Sequence, residues 1–525
     1  MSEKSVIFVA VFQYQPFLNC TPVLMYKKIR VVLALLCWLG ITLFFLDISG
    51  VLHHHLGWLT RIQFVPAVMA LNFGIVALWV VVTLLLGRCY CSVICPLGVF
   101  QDIIAWFGRK FRGKRTRKAP YDYSPAKTWL RWTVLVLFIA AMLVGAGSLV
   151  ALLAPYSSYG RIAQNLFQPL WTWANNGLAA IAEHYDSYAF YEREVWLRSL
   201  PTFLIAAVTL LALIVLAGKN GRTYCNTVCP VGTVLGALSR FAIFKIHIDE
   251  DKCVNCKLCQ HNCKAACIDI PNKKIDYSRC VDCFNCIGKC NKGAITFGLH
   301  KHKPLVTTAT AAKPGADKGR RAFLASGAAL LATAALKAEE KTVDGGLALV
   351  LDKKAPVRVT PLTPPGSQSY DNFTKRCTGC QLCVSECPND VLRPSTDLMR
   401  LMQPEMSYER GHCRPECNRC SEVCPAGAIL PVRHEEKASI QIGHAVWIAD
   451  NCLPLTDGIS CGNCARHCPA GAIKMVPSDP DDKDSARIPS VDETRCIGCG
   501  ACEHLCPARP FSAIYVEGHS VHKIL

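Results

Sequence analysis

Thiols carry the chemistry of this chain. Two stretches, Gly87–Gly98 (GRCYCSVICPLG) and Gly221–Gly232 (GRTYCNTVCPVG), repeat a Cys-x-x-x-Cys-Pro motif, each after a long apolar run. Cys91, Cys95, Cys225 and Cys229 are therefore candidates for one shared redox site. Four thiolates can hold iron or a small iron–sulfur cluster, or can cycle between dithiols and disulfides. Pro96 and Pro230 suit the first turn of a following helix, whose positive end favours thiolate. Cys89 has no counterpart, since Thr223 stands in its place.

Twenty-four further cysteines fall into six motifs. Cys253, Cys256, Cys259 and Cys263 form one Cys-x-x-Cys-x-x-Cys-x-x-x-Cys, and Cys280, Cys283, Cys286 and Cys290 form the next. In a two-cluster ferredoxin the fourth cysteine of each motif serves the other cluster. That rule assigns Cys253, Cys256, Cys259 and Cys290 to one 4Fe–4S cluster, and Cys280, Cys283, Cys286 and Cys263 to another. Cys267 is spare and reads as packing. Lys264 and Asn291 stand where proline usually follows the fourth cysteine.

Four more motifs follow: Cys377, Cys380, Cys383, Cys387; Cys413, Cys417, Cys420, Cys424; Cys452, Cys461, Cys464, Cys468; and Cys496, Cys499, Cys502, Cys506. Each ends in Cys-Pro, and the runs CPAGAIL, CPAGAIK and CPARPFSAIYV predict a short strand after it. Neighbouring motifs can exchange their fourth cysteines, or outer motifs can pair with each other and inner ones likewise; spacing leaves both open. The irregular gaps of the second and third motifs also admit zinc. Counted as complete, the motifs predict six 4Fe–4S clusters, with one further iron centre at the Cys-x-x-x-Cys-Pro pair.

These ligands need elements to carry them. The chain has 525 residues, 32 cysteines, 18% charged residues and a mean hydropathy of +0.25, too apolar for an ordinary soluble protein. Stretches near 29–48, 66–87, 130–153 and 200–218 are each long enough to cross about 30 Å of hydrocarbon. Arg109–Lys118 and the GKNGR segment are basic, whereas 154–197 has no lysine and only Arg161 and Arg193. Basic segments stay in the cytoplasm, which puts the amino terminus and both Cys-x-x-x-Cys-Pro motifs inside. The net charge of +18 then reads as membrane-flanking charge, and a nucleic-acid partner is excluded. GWLTRIQFVP before the second stretch and VWLRSLPTF before the fourth suggest a duplicated two-span unit. His53–His55 read as a solvated outer loop. Met25 resembles a translation start.

Arg320 and Arg321 precede an apolar run, 322–336, in the manner of a twin-arginine export signal, which carries folded, cofactor-loaded domains outward. If retained, the run is a fifth, marginal helix. The alternative is a short cytoplasmic helix between two ferredoxins.

The expected fold is a membrane protein, α plus α+β: a four-helix transmembrane bundle with ferredoxin-like 4Fe–4S modules. Its parts are an amino-terminal cytoplasmic segment, 1–28; the four-span domain, 29–245; a cytoplasmic two-cluster ferredoxin, 246–300; a linker with the signal-like segment, 301–365; and a periplasmic four-cluster ferredoxin, 366–525.

The four-span unit with paired Cys-x-x-x-Cys-Pro motifs and a two-cluster tail resembles the NapH/MauN membrane ferredoxins. The twin arginine with four motifs resembles NapG/MauM, so the chain looks like a fusion of the two. The resemblance implies a quinol dehydrogenase of the bacterial inner membrane, exchanging electrons between the quinone pool and a periplasmic reductase, dehydrogenase or cytochrome. From the residues alone, six cluster sites without a nucleotide loop, a haem-attachment motif or a hydrolytic constellation indicate single-electron transfer. The alternative is a maturation factor that reduces a metal or thiols for another redox enzyme.

Overall fold

A computed structural model describes residues 21–47, 52–111, 121–187, 190–299, 342–343, 348–349 and 351–525. The segment 1–20, the basic run beyond Phe111, the twin arginines and the apolar run 322–336 lie outside the described residues, as do the side chains of His53 and His54; His55 is exposed.

Helix α1 spans Thr21–Leu46, roughly 39 Å at 1.5 Å per residue. It starts upstream of the expected boundary at 28 and takes in Met25. After α2 (Leu52–Arg61) and α3 (Phe64–Met69) comes α4 (Phe73–Leu86). A short α5 (Cys89–Val93) and α6 (Pro96–Lys110) carry the first motif. Next come α7 (Thr128–Val144), α8 (Gly147–Leu153), α9 (Pro155–Ile162), a π-helical turn Ala163–Phe167 and α10 (Gln168–His184). The second motif repeats the first arrangement: α11 (Leu200–Asn220), α12 (Thr223–Thr227) and α13 (Pro230–Leu238).

Two helical stretches, Met25–Leu46 and Leu200–Asn220, are long and apolar enough to cross a membrane. The other two expected spans are not single helices. The second breaks between α3 and α4, where Leu71 takes φ 55° and Asn72 caps α4 by accepting from the Ile75 amide. The third breaks at Gly145, a left-handed C-cap with φ 82°.

Two cysteine-rich modules sit at opposite ends of these helices. The inner module starts at β1 (Phe244–Ile248), holds a hairpin of β2 (Ile268–Asp269) and β3 (Lys274–Ile275), and closes when β4 (Ile295–Leu299) pairs antiparallel with β1. The outer module pairs β5 (Leu392–Pro394) with β6 (Pro404–Met406), β8 (Ile473–Pro477) with β9 (Arg487–Val491), and β7 (Ile440–Trp447) with β10 (Ile514–Ile524), all antiparallel. The strands expected after Cys468-Pro and Cys506-Pro are β8 and β10. None forms after Cys424-Pro, where the Leu430 amide donates to the Gly366 carbonyl instead.

The four apolar helical stretches all run between these modules. Lys27 near the start of α1 lies by Cys283 and Lys289, and Asp47 just past its end shares a cavity with Glu386. Ala70, before α4, touches Gly427, while Gly87 at its end abuts Asp282. Arg131 in the first turn of α7 donates to the Ser278 hydroxyl at 3.0 Å, and Gly145 at its end meets Lys375. Arg198 before α11 pairs with Asp390 at 3.1 Å, and Arg222 past its end donates its amide to the Lys264 carbonyl at 2.8 Å.

Candidate redox centres

The two Cys-x-x-x-Cys-Pro motifs have nearly the same local geometry. Gly87 and Gly221 end their helices at positive φ, 77° and 69°, which turns the chain back. The Ile94 and Cys95 amides both donate to the Tyr90 carbonyl at 3.0 Å; the Val228 and Cys229 amides donate to Tyr224 at 3.0 and 3.1 Å. Cys95 and Cys229 are then N-caps with φ −67° in both cases, and Pro96 and Pro230 begin the next helix. This is the placement expected for those prolines.

All four thiols are buried, at 3–4% exposure, and lie within electrostatic reach of one another. The halves interlock. A Cβ on Gly98 would stand 2.4 Å from the Cys91 carbonyl oxygen, and one on Gly232 would stand 2.2 Å from that of Cys225. Arg222 crosses to the first half and donates to the Cys91 carbonyl at 2.6 Å. Arg88 crosses to the second, donating to Asn226 Oδ1 at 3.0 Å, and its Nη2 would meet a Gly232 Cβ at 2.9 Å. Both arginines are fully buried. Two buried cations beside four thiols offset the charge that an anionic centre brings. Gln101 donates to Cys225 Sγ at 3.2 Å, and the Gly232 amide to Cys229 Sγ at 3.4 Å.

Sequence reasoning missed these arginines, although both stand in the quoted repeats as Gly-Arg. It also missed Asp102, which pairs with Arg222 at 2.7 Å, Lys264 at 2.5 Å and Arg30 at 3.5 Å. Burial alone would raise its pKa; the Arg222 and Lys264 charges outweigh burial and hold the carboxyl below its usual range.

The six remaining motifs gather as four-cysteine sets. Cys253, Cys256, Cys259 and Cys290 line one inner cavity, and Cys263, Cys280, Cys283 and Cys286 another, as the crossover rule predicts. Cys267 is not remote packing: its sulfur is 3.5 Å from that of Cys263 and lines the same cavity. In the outer module, Cys377, Cys380, Cys383 and Cys424 line one cavity, and Cys452, Cys461, Cys464 and Cys506 a second. Cys387 lies with Cys413, Cys417 and Cys420, and Cys468 with Cys496, Cys499 and Cys502. Neighbouring motifs therefore exchange fourth cysteines, which resolves the open pairing. Among the described residues, no group of three or more His, Cys, Asp or Glu side chains is disposed to hold a single metal ion. The thiols instead stand around a space, which fits a multi-iron cluster. Backbone amides add N–H···S bonds at Cys377 (3.5 Å), Cys468 (3.3 Å) and Cys506 (3.3 Å).

The sets form a series. Asp282, next to Cys283, accepts from the Arg88 amide at 2.9 Å, so the second inner set adjoins the bundle site. Beyond that site, an aromatic ladder leads outward. Phe100 packs on Tyr159 at 6.0 Å, Tyr159 on Phe45 at 6.5 Å, and Phe45 on Tyr156 at 6.1 Å. Tyr156 is buried next to Cys380 and Cys424. Within the outer module the Cys413 amide donates to the Cys499 carbonyl at 2.9 Å, joining its two halves.

A model described as a 4Fe-4S binding domain matches residues 68–115 and again 200–248, the two halves of the bundle site. A 4Fe-4S dicluster domain matches 459–509, and a further 4Fe-4S binding domain matches 373–393. The methylamine utilization ferredoxin-type protein MauM of Methylobacillus flagellatus is 33% identical over 167 residues, which cover 31% of this chain and 70% of that protein. The ferredoxin-type protein NapF of Escherichia coli K12 is 27% identical over 30% of this chain and 87% of its own length. The putative electron transport protein YccM of the same strain is 25% identical over 38% of this chain and 47% of its own. No solved structure matches. With its cysteines in four-thiol sets and this degree of identity, the chain belongs to the iron–sulfur electron-transfer family of MauM-type ferredoxins.

Proposed function

We propose that the chain is a quinol dehydrogenase of the bacterial inner membrane, a fusion of a NapH/MauN-type membrane unit with a MauM-type ferredoxin. It relays electrons between the quinone pool and a periplasmic redox partner. The observation that carries this reading is the alternation of the four helical crossings, each with one end on the inner module and the other on the outer. A membrane around the crossings then leaves 246–300 in the cytoplasm and 366–525 in the periplasm. The second and third crossings break at their outer ends, where Ala70 meets Gly427 and Gly145 meets Lys375, so on this reading the irregular backbone falls at the edge of the membrane and not in its hydrocarbon core.

Six 4Fe–4S clusters on the six cysteine sets, with a seventh iron centre on Cys91, Cys95, Cys225 and Cys229, supply single-electron transfer when bound. The protein buries the four bundle thiols, sets Arg88 and Arg222 beside them, and arranges the cysteine sets from the inner module through the bundle to the outer module. The test is anaerobic iron and sulfide analysis together with a periplasmic reporter fused after Leu525. About 24 iron atoms per chain for six clusters, rising to about 28 with a four-iron bundle centre, and a reporter active outside, are expected. Iron near 8, or a reporter active only in the cytoplasm, sinks the reading.

A further inference from the structure

A cavity of about 440 Å³ opens where the outer module meets the helical domain. That volume lies in the range of small-molecule sites. Its walls come from both sides: Gln164 and Gln168, Trp196 and Arg198 from the helical domain, Glu386 and Cys387 from the outer module. Three features mark it as built for a ligand.

The first is unmet hydrogen bonding. Glu386 is 3% exposed, and neither of its carboxyl oxygens has a partner; Gln164 is 3% exposed, and its Oε1 has none. A buried acceptor without a donor is costly and calls for an explanation. The second is the backbone. Gln164 and Asn165 lie on the π-helical turn Ala163–Phe167, a break in regular winding that often accompanies function. Asn165 Nδ2 donates to Gln381 Oε1 at 2.9 Å, tying this turn to the loop that carries Cys380 and Cys383. The third is position. Glu386 stands between Cys383 and Cys387, which belong to two different four-cysteine sets. Helix α10, whose first turn lines the cavity, exposes Leu170, Trp171, Trp173, Leu178 and Ile181, an apolar surface suited to a lipid interface.

The chemistry selects the ligand. The charged lining residues are Arg193, Arg198 and Arg419 against Asp47, Glu194, Glu386 and Asp390, three positive and four negative, so the cavity does not favour a phosphate or another anion. The Gln164 oxygen needs a donor, and a hydroxyl satisfies the Glu386 carboxyl whether that group is ionised or protonated.

We propose that this cavity binds the aromatic headgroup of a quinol, one hydroxyl on Glu386 and the other on Gln164. The assignment rests on the quinol reading above and gives it a place: oxidation of the quinol to the quinone releases two protons into the cavity and passes two electrons, one at a time, to the first two cysteine sets of the outer module, between which Glu386 stands. The inner sets and the bundle site then form a separate branch towards the cytoplasm.

The test is equilibrium binding of menadiol to the full chain in nanodiscs, with the clusters first reduced by dithionite so that no electrons move. Gln164→Leu and Glu386→Leu should each weaken binding about 10-fold, the effect of one lost buried hydrogen bond, with iron content unchanged. Thr172→Trp, which fills the cavity from α10 without touching the outer module's sequence, should abolish binding even if Glu386→Leu fails to fold. Wild-type binding that all the variants retain overturns the site but leaves the quinol reading standing. A wild-type protein that binds no menadiol overturns both.

Discussion

The two halves of the bundle site share a backbone and differ in charge. Arg88 and Arg222 occupy equivalent places after Gly87 and Gly221, yet their partners are unlike. The Arg88 guanidinium donates to Asn226 Oδ1 at 3.0 Å, the Ser278 carbonyl at 3.1 Å and Cys91 Sγ at 3.8 Å, and only its backbone amide meets a carboxylate, that of Asp282. Arg222 meets the Asp102 carboxylate at 2.7 Å. The position equivalent to Asp102 in the second half is Gly236, where a Cβ would stand 2.4 Å from the Ser278 carbonyl oxygen. A second carboxylate cannot fit there because the inner module packs against that helix. Docking of a module on one face has thus broken a symmetry that the repeat itself would have kept. It leaves the Arg88 guanidinium without a carboxylate of its own, while Arg222 shares Asp102 with Lys264 and Arg30.

Removing a thiol from each half should have the largest effect. Cys91→Ser and Cys225→Ser should each abolish electron exchange between the inner and outer modules while the iron of the other six sets remains. Stopped-flow absorbance after reduction from one side measures this. A sharp difference between the two variants would mean that the motifs are not halves of one site.

Backbone interlock comes next. Gly98→Ala and Gly232→Ala each push a methyl group onto a carbonyl oxygen of the cysteine turn, and each should cost about 3 kcal/mol. Thermal unfolding should show the two losses to be similar, since the contact is the same in both halves. A mild effect in either half would show that the turn can give way.

Charge separates the halves. Arg88→Gln should lower the reduction potential of the bundle centre by about 100 mV, the scale of one unit charge at close range in a medium of intermediate dielectric. Asp102→Asn should raise it by less, because Lys264 and Arg30 already share that carboxylate. Redox titration followed by electron paramagnetic resonance reads both shifts, and an unmoved potential in Arg88→Gln would remove the arginine from the site. The smallest effect belongs to Cys89→Ser. Its thiol donates to the Leu86 carbonyl at 3.4 Å rather than joining the four, so electron exchange should persist at the wild-type rate.

The thiols and their local grouping were legible in the residues alone. Three cysteines at Cys-x-x-Cys-x-x-Cys spacing fall on one tight loop whatever the rest of the chain does, so the first three ligands of the regular sets were legible. The inner crossover followed from a single pair of adjacent motifs. Both Cys-x-x-x-Cys-Pro turns were visible for the same reason, as short local structures fixed by Gly, Cys and Pro. Helix lengths were less legible, because hydropathy does not register a cap such as Asn72 or Gly145 inside an apolar run. Which outer motifs exchange cysteines, that Arg88 and Arg222 cross between halves, and that Asp102 has no twin emerged only from the folded arrangement. It alone brought Glu386 and Gln164 to one cavity. These facts join residues far apart in sequence, such as Arg88 with Ser278, 190 positions away. They depend on which surfaces exclude water when the modules dock, a property of packing that no local spacing encodes.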